Sequence, residues 1–189
     1  MSSRGLSNVI GFDDAPFPRS HQGQVKIIGA VFANLRFDGV IIGEIEKDGS
    51  DAAKKITHLI ANSKFVDHIK LIMLQGITMG GFNVVDVFYL HRRLGLPVLV
   101  VSRNEPDMKA FHKALTSTIP HGREKWLIIE KLGKMEPAGK VHIQRVGLTF
   151  EQAIRAIKHF SVHSNIPEPI RTAHLIAGAV ADGESRGCP

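Results

Sequence analysis

The chain has 189 residues, of which 43% are hydrophobic and 22% charged, a composition that is typical of a globular protein and argues against a disordered chain. Its net charge of +6 permits a polyanionic partner such as nucleic acid without requiring one, because the lysines and arginines are spread along the chain. No apolar run is long enough to span a membrane, and the segment 1–5 does not begin a signal peptide, so we expect no membrane association.

We expect a single domain over residues 1–189, since no repeat, low-complexity segment or linker divides the chain. Residues 183–189 are polar and contain glycine, and we expect them to form a mobile tail. The single cysteine, Cys188, cannot form an internal disulfide, which is consistent with a reducing, cytoplasmic environment.

The first predicted strand, 9–12, ends in two adjacent carboxylates, Asp13 and Asp14, and Pro16 then turns the chain. Ligands of open α/β sheets bind beyond the carboxyl ends of the strands, so this pair is a candidate site. The alternative is a turn in which one of the two carboxylates accepts a hydrogen bond from the backbone ahead.

Two further strands, 25–32 and 40–46, are separated by a predicted turn at 34–39 and should form an antiparallel hairpin. After a short turn, a helix is predicted at 51–62. A carboxylate at the start of a helix suits the helix dipole, so capping is the structural interpretation of Asp51.

The buried strand 69–74 ends at Gln75 and is followed by the glycine-bearing loop 76–81 and a helix at 82–93. The spacing of the glycines matches neither the P-loop nor the dinucleotide fingerprint. Close packing of the backbone is therefore the favoured interpretation of this loop, and a nucleotide cradle is the alternative.

A strand at 98–101 and a helix at 106–116 continue the alternation of strands and helices, which predicts parallel strands with right-handed crossovers. The segments 126–130 and 141–146 are predicted to be a further pair of strands.

The last part of the chain is predicted to be helical. Thr149 is expected to cap one helix, and Pro169 is well placed to open another that runs to Ala181. Arg171 and His174 are three residues apart on that last helix and therefore share a face.

The segment 166–174, Ile-Pro-Glu-Pro-Ile-Arg-Thr-Ala-His, resembles the Leu-Pro-Glu-Pro-Thr-Arg-x-Ala-His/Asp stretch of endonuclease V. Gly11-Phe12-Asp13 is similar to the Gly-Val-Asp of that family's first strand, and Gln75-Gly76 lies where the family has Asp-Gly. The chain is most similar to an uncharacterised, endonuclease V-like archaeal family, domain of unknown function ninety-nine, and the resemblance covers nearly the whole sequence.

This resemblance implies an α/β, ribonuclease H-like fold: a mixed sheet in which an antiparallel meander is joined to parallel strands and flanked by helices. In endonuclease V, acidic residues bind Mg²⁺ and a water molecule attacks a phosphodiester beside a deaminated adenine. The resemblance therefore implies Mg²⁺ or Mn²⁺ as the cofactor and nucleic acid as the partner.

Carried over residue by residue, the resemblance implies that Asp13 is the first metal ligand and Asp51 the second acid, with Asp48 as a competitor for that position. Gln75 stands where the family has an acid, and its amide oxygen would coordinate the metal without adding charge. His174 takes the position of the C-terminal His or Asp, where it would position water, bind a second metal or move a proton.

Two arginines are expected to contact nucleic acid. Arg103 follows the third parallel strand, where the family has a lysine, and Arg171 belongs to the C-terminal motif. The Pro-Tyr wedge of endonuclease V has no counterpart in the short turn at 47–50.

Three functions follow from these observations. The favoured one is a metal-dependent nuclease with Asp13, Asp51 and His174 as catalytic residues. The alternative is a non-catalytic nucleic-acid-binding module on the same fold, motivated by Gln75. A third is a small-molecule-binding protein that uses the loop 76–81 as a nucleotide cradle.

Overall fold

The computed structural model describes residues 6–185. The strands in this range are β1 (Asn8–Asp14), β2 (Gln24–Ala33), β3 (Arg36–Glu46), β4 (Leu71–Gln75), β5 (Thr78–Met79), β6 (Asn83–Val84), β7 (Val98–Ser102), β8 (Glu136–Ala138) and β9 (Val141–Val146). The helices are α1 (Ala52–Ala61), α2 (Val87–Leu94), α3 (Met108–Thr118), α4 (Gly122–Leu132), α5 (Phe150–Phe160) and α6 (Glu168–Asp182). The expected tail at 183–189 is described only as far as residue 185, and Cys188 lies outside the described residues.

The strand that ends in the two carboxylates, β1, lies in the middle of the main sheet. Its seven strands follow the order β3-β2-β1-β4-β7-β9-β8. β2 pairs antiparallel with both β1 and β3, whereas β1, β4 and β7 run parallel. The expected meander joined to parallel strands is therefore confirmed, and β9 and β8 extend the sheet by two antiparallel strands.

Helices cover both faces of the sheet because successive strand residues point to opposite sides. On one face, Val9 and Leu71 belong to a buried cluster that includes residues of α5 and α6. On the other face, Ile10 and Phe12 pack in a cluster with residues of α1 and α2. Within residues 6–185, no helix combines the length and the apolar character needed to cross a membrane.

Gly11 lets the last helix lie directly on the central strand. A Cβ atom at this position would clash with the Pro169 carbonyl carbon and lie only 2.5 Å from the Ile170 nitrogen. Both are backbone atoms, so they cannot move aside as the end of a flexible side chain could. The start of α6 is therefore held at a fixed distance from β1.

The turn between β2 and β3 is tighter than predicted. Asn34 adopts a left-handed conformation with φ 53°, so the chain reverses at residues 34 and 35 and β3 begins at Arg36. β3 is thereby 11 residues long.

The predicted strand at 126–130 is wrong. These residues lie in α4, where Ile129 is buried and the Leu127 side chain is 61% exposed. A short apolar run fits a strand or a helix equally well by its pattern, and here the run packs as a helix against α3 and β9. The strand that pairs with β9 is β8 instead.

The predicted helix at 82–93 begins later than expected. Residues 83–84 form β6, and α2 begins after Asp86, whose side chain accepts a backbone hydrogen bond at 2.9 Å. Similarly, α3 begins after the capping residue Asp107 rather than at Pro106. In both helices, a carboxylate that accepts free amide groups marks the start better than the apolar pattern does.

Candidate functional site

Asp13 and His174 meet at the carboxyl end of the central strand. His174 Nδ1 lies 2.8 Å from Asp13 Oδ2, and the two residues are 161 positions apart in the chain. The Asp13 side chain is 7% exposed and the His174 side chain 34% exposed. The close packing of α6 on Gly11 brings the two side chains together, and the imidazole remains within reach of solvent.

The electrostatics of this pair reflect burial on one side and hydrogen bonding on the other. Burial raises the pKa of Asp13 above its usual value, and the hydrogen bond from His174 opposes this shift. The hydrogen bond to Asp13 raises the pKa of His174. The pair therefore retains a proton more readily than either group would in water.

The neighbouring carboxylate, Asp14, points to the opposite face of the sheet. Its Oδ2 accepts a hydrogen bond from the Gly80 amide at 2.9 Å. Burial, followed by the proximity of Asp13, raises the pKa of Asp14 to about 7. Asp13 Oδ1 in turn accepts from the Asp14 amide at 3.0 Å. This bond joins adjacent residues within β1, so it is not the turn-type hydrogen bond of the alternative interpretation.

Gln75 lies beside Asp13 on the same face of the sheet. The parallel register pairs Phe12 with Leu74, so the next residue of each strand, Asp13 and Gln75, also lie side by side. Gln75 Oε1 is buried, and among the described residues it has no hydrogen-bond partner. A buried carbonyl oxygen without a partner is costly, and a bound cation is one way of satisfying it.

The structure places Asp51 in a different set of contacts. Asp51 Oδ1 accepts from Asn83 Nδ2 at 2.7 Å and from the Glu46 amide at 3.1 Å. Asp51 occupies the capping position of α1, but within the described chain its side chain makes no capping hydrogen bond. Instead, Asn83 Oδ1 accepts from the Ala52 amide at the start of that helix. Asp51 therefore ties the loop before α1 to the β5–β6 hairpin.

Asp48, the competitor of Asp51, has a similar role. Its Oδ1 accepts from the Phe82 amide at 2.8 Å, and its backbone is in the left-handed region with φ 55°. Its carbonyl oxygen accepts from the ammonium of Lys125 at 2.6 Å. Burial lowers the pKa of Lys125. These contacts hold α4 and the β5–β6 hairpin against the loop that follows β3.

Metal binding at this edge of the sheet is limited to few protein ligands. In residues 6–185, no group of three or more His, Cys, Asp or Glu side chains is placed to hold a metal ion. Asp13 and Gln75 supply two adjacent oxygen ligands, and Mg²⁺ commonly takes only one or two protein ligands when substrate phosphate and water complete its coordination. These two residues therefore fit a divalent ion of that kind.

The two arginines expected to bind nucleic acid differ in their surroundings. Arg103 is exposed at the end of β7 and close enough to His174 for its charge to oppose protonation of the imidazole. Arg171 Nε lies 3.0 Å from Glu168 Oε2, and Glu168 also accepts from the His163 amide. Arg171 is thus engaged in fixing the start of α6, whereas the Arg103 side chain lies at the surface beside the Asp13–His174 pair.

A cavity of about 690 Å³ lies next to this site. Gly76 and Ser102, at the carboxyl ends of β4 and β7, form one side, and Phe111 and Trp126 from α3 and α4 line it as well. The sequence does not indicate this cavity, because its pattern predicts a strand at 126–130, where Trp126 lies. Asn83, which is fully buried, was also missed. A polar residue inside the apolar run 82–85 was the signal that could have revealed it.

A family model described as Endonuclease dU matches residues 6–181. A UPF0215 protein of Deinococcus radiodurans is 46% identical over 182 residues, which cover 96% of this chain and 93% of the relative. The resemblance implied an archaeal family. Deinococcus is a bacterium, so relatives also occur outside the archaea.

Solved structures show the same fold. A protein of unknown function from Archaeoglobus fulgidus superposes with a TM-score of 0.85 and 35% identity, over 92% of this chain and 97% of the other. Endonuclease V of Ciona intestinalis, in complex with a 24mer DNA containing an inosine followed by a ribo-adenosine, gives a TM-score of 0.58 at 12% identity, over 90% of this chain and 84% of the other. At that identity the second comparison establishes the fold alone, which is the endonuclease V fold.

Proposed function

We propose, since this chain belongs to the endonuclease dU family, that it is a divalent-metal-dependent endonuclease that hydrolyses phosphodiester bonds in nucleic acid. The observation that carries the proposal is the Asp13–His174 pair beside the unpartnered Gln75 oxygen, at the edge of the sheet where α/β proteins bind ligands. Because the family's name contains dU, DNA with deoxyuridine is the first substrate to test.

In this proposal, His174 moves the proton of the reaction. Its Nδ1 is held by Asp13, which fixes the orientation of the ring and leaves Nε2 to take a proton from the attacking water. The 34% exposure of the side chain is compatible with contact to a substrate phosphate and its water. Arg103 would bind a phosphate oxygen from the neighbouring strand end.

Asp13 and Gln75 would hold the divalent ion, which lowers the pKa of bound water and neutralises phosphate charge when it is present. Gln75 contributes no charge, so metal binding would depend strongly on Asp13 and on the substrate phosphate. Asp51 remains a proposed second acid, but its contacts with Asn83 and Glu46 support a structural role more directly.

The cavity beside the site supports recognition of a single nucleotide. One way to recognise a single base in a duplex is to take it out of the stack and hold it in a pocket. The aromatic rings of Phe111 and Trp126 provide surfaces on which a base can stack, next to the strand ends that would hold its phosphate.

The test compares the native protein with Asp13→Asn in Mn²⁺ calorimetry and in a nicking assay on deoxyuridine-containing duplex DNA. We expect binding and nicking in the native protein, loss of both in the variant, and loss of nicking with a chelator. Asp67→Asn, an exposed acid near the opposite end of β4, is the matched control and should retain both. Nicking that survives Asp13→Asn would contradict the assignment.

The alternative is a nucleic-acid-binding module without catalysis. It is favoured by Gln75 at an acid position and by the lack of a three-residue ligand cluster among residues 6–185. It predicts DNA binding that weakens steeply with salt, because phosphate contacts release counterions, without turnover in any divalent metal.

A further inference from the structure

Strand β3 presents an uncovered row of apolar side chains at one end of the sheet. Of the eight large apolar residues that are exposed in the described part of the chain, four lie in the short segment from residue 35 to residue 42. They are Leu35, Phe37, Val40 and Ile42, with exposed fractions between 38% and 49%. Apolar groups concentrated in one place mark an interaction surface, whereas scattered ones do not.

The strand register explains why this row is uncovered. Phe37, Val40 and Ile42 pair with Phe32, Ala30 and Ile28 of β2, respectively. Those β2 residues are buried in the cluster that contains α6. The apolar layer of the sheet thus continues onto β3, whereas the helix that covers it stops above β2.

The other side of β3 is already occupied, which fixes the strand in place. Ile45 is fully buried in the cluster that includes α1, and the backbone of Gly43 lies against Leu59 of that helix. β3 is also the end strand of the sheet, so the backbone N–H and C=O groups on its outer side point away from β2. Long, exposed, apolar edge strands readily pair with another strand.

We propose that this edge and its apolar row are the interface with a second copy of this chain. The apolar row itself favours an antiparallel pairing of two copies. A two-fold axis perpendicular to the sheet keeps the same face of both strands on the same side. Phe37, Val40 and Ile42 of one copy then lie beside the same residues of the other, and the apolar layer continues across the edge.

Two further considerations identify the occupant as a second copy. The nine residues of the sequence outside the described range contain only Met1 and Cys188 as hydrophobic residues, too few to cover the row. A strand edge pairs antiparallel with itself across a two-fold axis, and two-fold dimers are the commonest oligomers. This interface does not depend on the proposed nuclease activity.

The first test is the mass of the native protein in solution, measured by sedimentation velocity and light scattering over micromolar concentrations. We expect twice the mass of the chain. Ile42→Lys should raise the dissociation constant of the dimer about 100-fold or more, because each copy loses an apolar contact and gains a charge at the interface. Leu127→Lys, at the most exposed apolar residue on α4, is the matched control and should leave the dimer intact.

Amide exchange of residues 40–46 in the native protein gives a second measurement that needs no variant, and it should slow as the protein concentration rises. A native monomer, or a dimer indifferent to Ile42→Lys, would overturn the proposal.

Discussion

Replacing Asp14 by asparagine should stabilise the protein, but only at pH values at which the carboxyl group of Asp14 would be ionised. The carboxylate is buried beside Asp13, and its pKa is raised from 3.8 to about 7. An asparagine at this position keeps an oxygen that can accept the hydrogen bond from the Gly80 amide, and it removes the charge. The substitution therefore separates the cost of the charge from the value of the hydrogen bond.

The size of the effect follows from the two pKa values. Because the folded pKa lies above the unfolded one, ionising Asp14 opposes folding increasingly as the pH rises from about 4 to about 7. Above that range the cost is about 4 kcal/mol, since each unit of difference is worth about 1.4 kcal/mol. The amide hydrogens of the new asparagine need hydrogen-bond partners in a buried place, which reduces the gain in stability by about 1 kcal/mol. The net gain should be about 3 kcal/mol near pH 8, whereas near pH 4 the substitution should destabilise the protein by about 0.5 kcal/mol.

Urea unfolding in the presence of a chelator measures this difference directly, with the native protein and Asp14→Asn compared at both pH values. Asp86→Asn is the control, because it removes a carboxylate that caps α2 and replaces it with an equally good cap. The control should change stability by less than about 1 kcal/mol at either pH. If Asp14→Asn shifts stability equally at pH 4 and pH 8, the buried charge is not the cause and the argument fails.

Three other substitutions test the site and its support. Gly11→Ala should destabilise the fold by about 3 kcal/mol in thermal unfolding, since the new Cβ meets the backbone at Ile170 and pushes α6 from β1. Asn83→Ala should cost about 3 kcal/mol, because it deletes three buried or partly buried hydrogen bonds, whereas Asn62→Ala on the surface should cost less than about 1 kcal/mol. Gln75→Asp should raise the Mn²⁺ affinity tenfold or more in calorimetry, and an unchanged affinity would mean that this residue does not face the metal.

The sheet could largely be predicted from the sequence because its central strands are continuous apolar runs that end at polar residues. Strands β1, β4 and β7 are of this kind, and the position of Asp13 at a strand end follows from the same pattern. The prediction that Thr149 caps a helix is also confirmed. Capping depends only on neighbouring residues, because the Thr149 hydroxyl accepts from the Gln152 amide three residues later.

The remaining features depend on contacts between distant parts of the chain. The apolar run at 126–130 is ambiguous on its own, and only its packing against α3 and β9 makes it a helix. The contact of Asp14 with Gly80 and that of Asn83 with Glu46 join segments whose spacing no local pattern encodes. The pairing of Asp13 with His174 was accessible only through the family resemblance, and the catalytic roles of both stay predictions.

The packing of α6 on Gly11 also has a consequence for synthesis. The central strand leaves the ribosome well before α6, and His174 emerges 161 residues after its partner. Because chains fold progressively from the N-terminal side, the sheet can form while this position on β1 is still bare. The Asp13–His174 pair is completed only when the last helix docks. A stalled or truncated chain would thus carry the carboxylates without the imidazole.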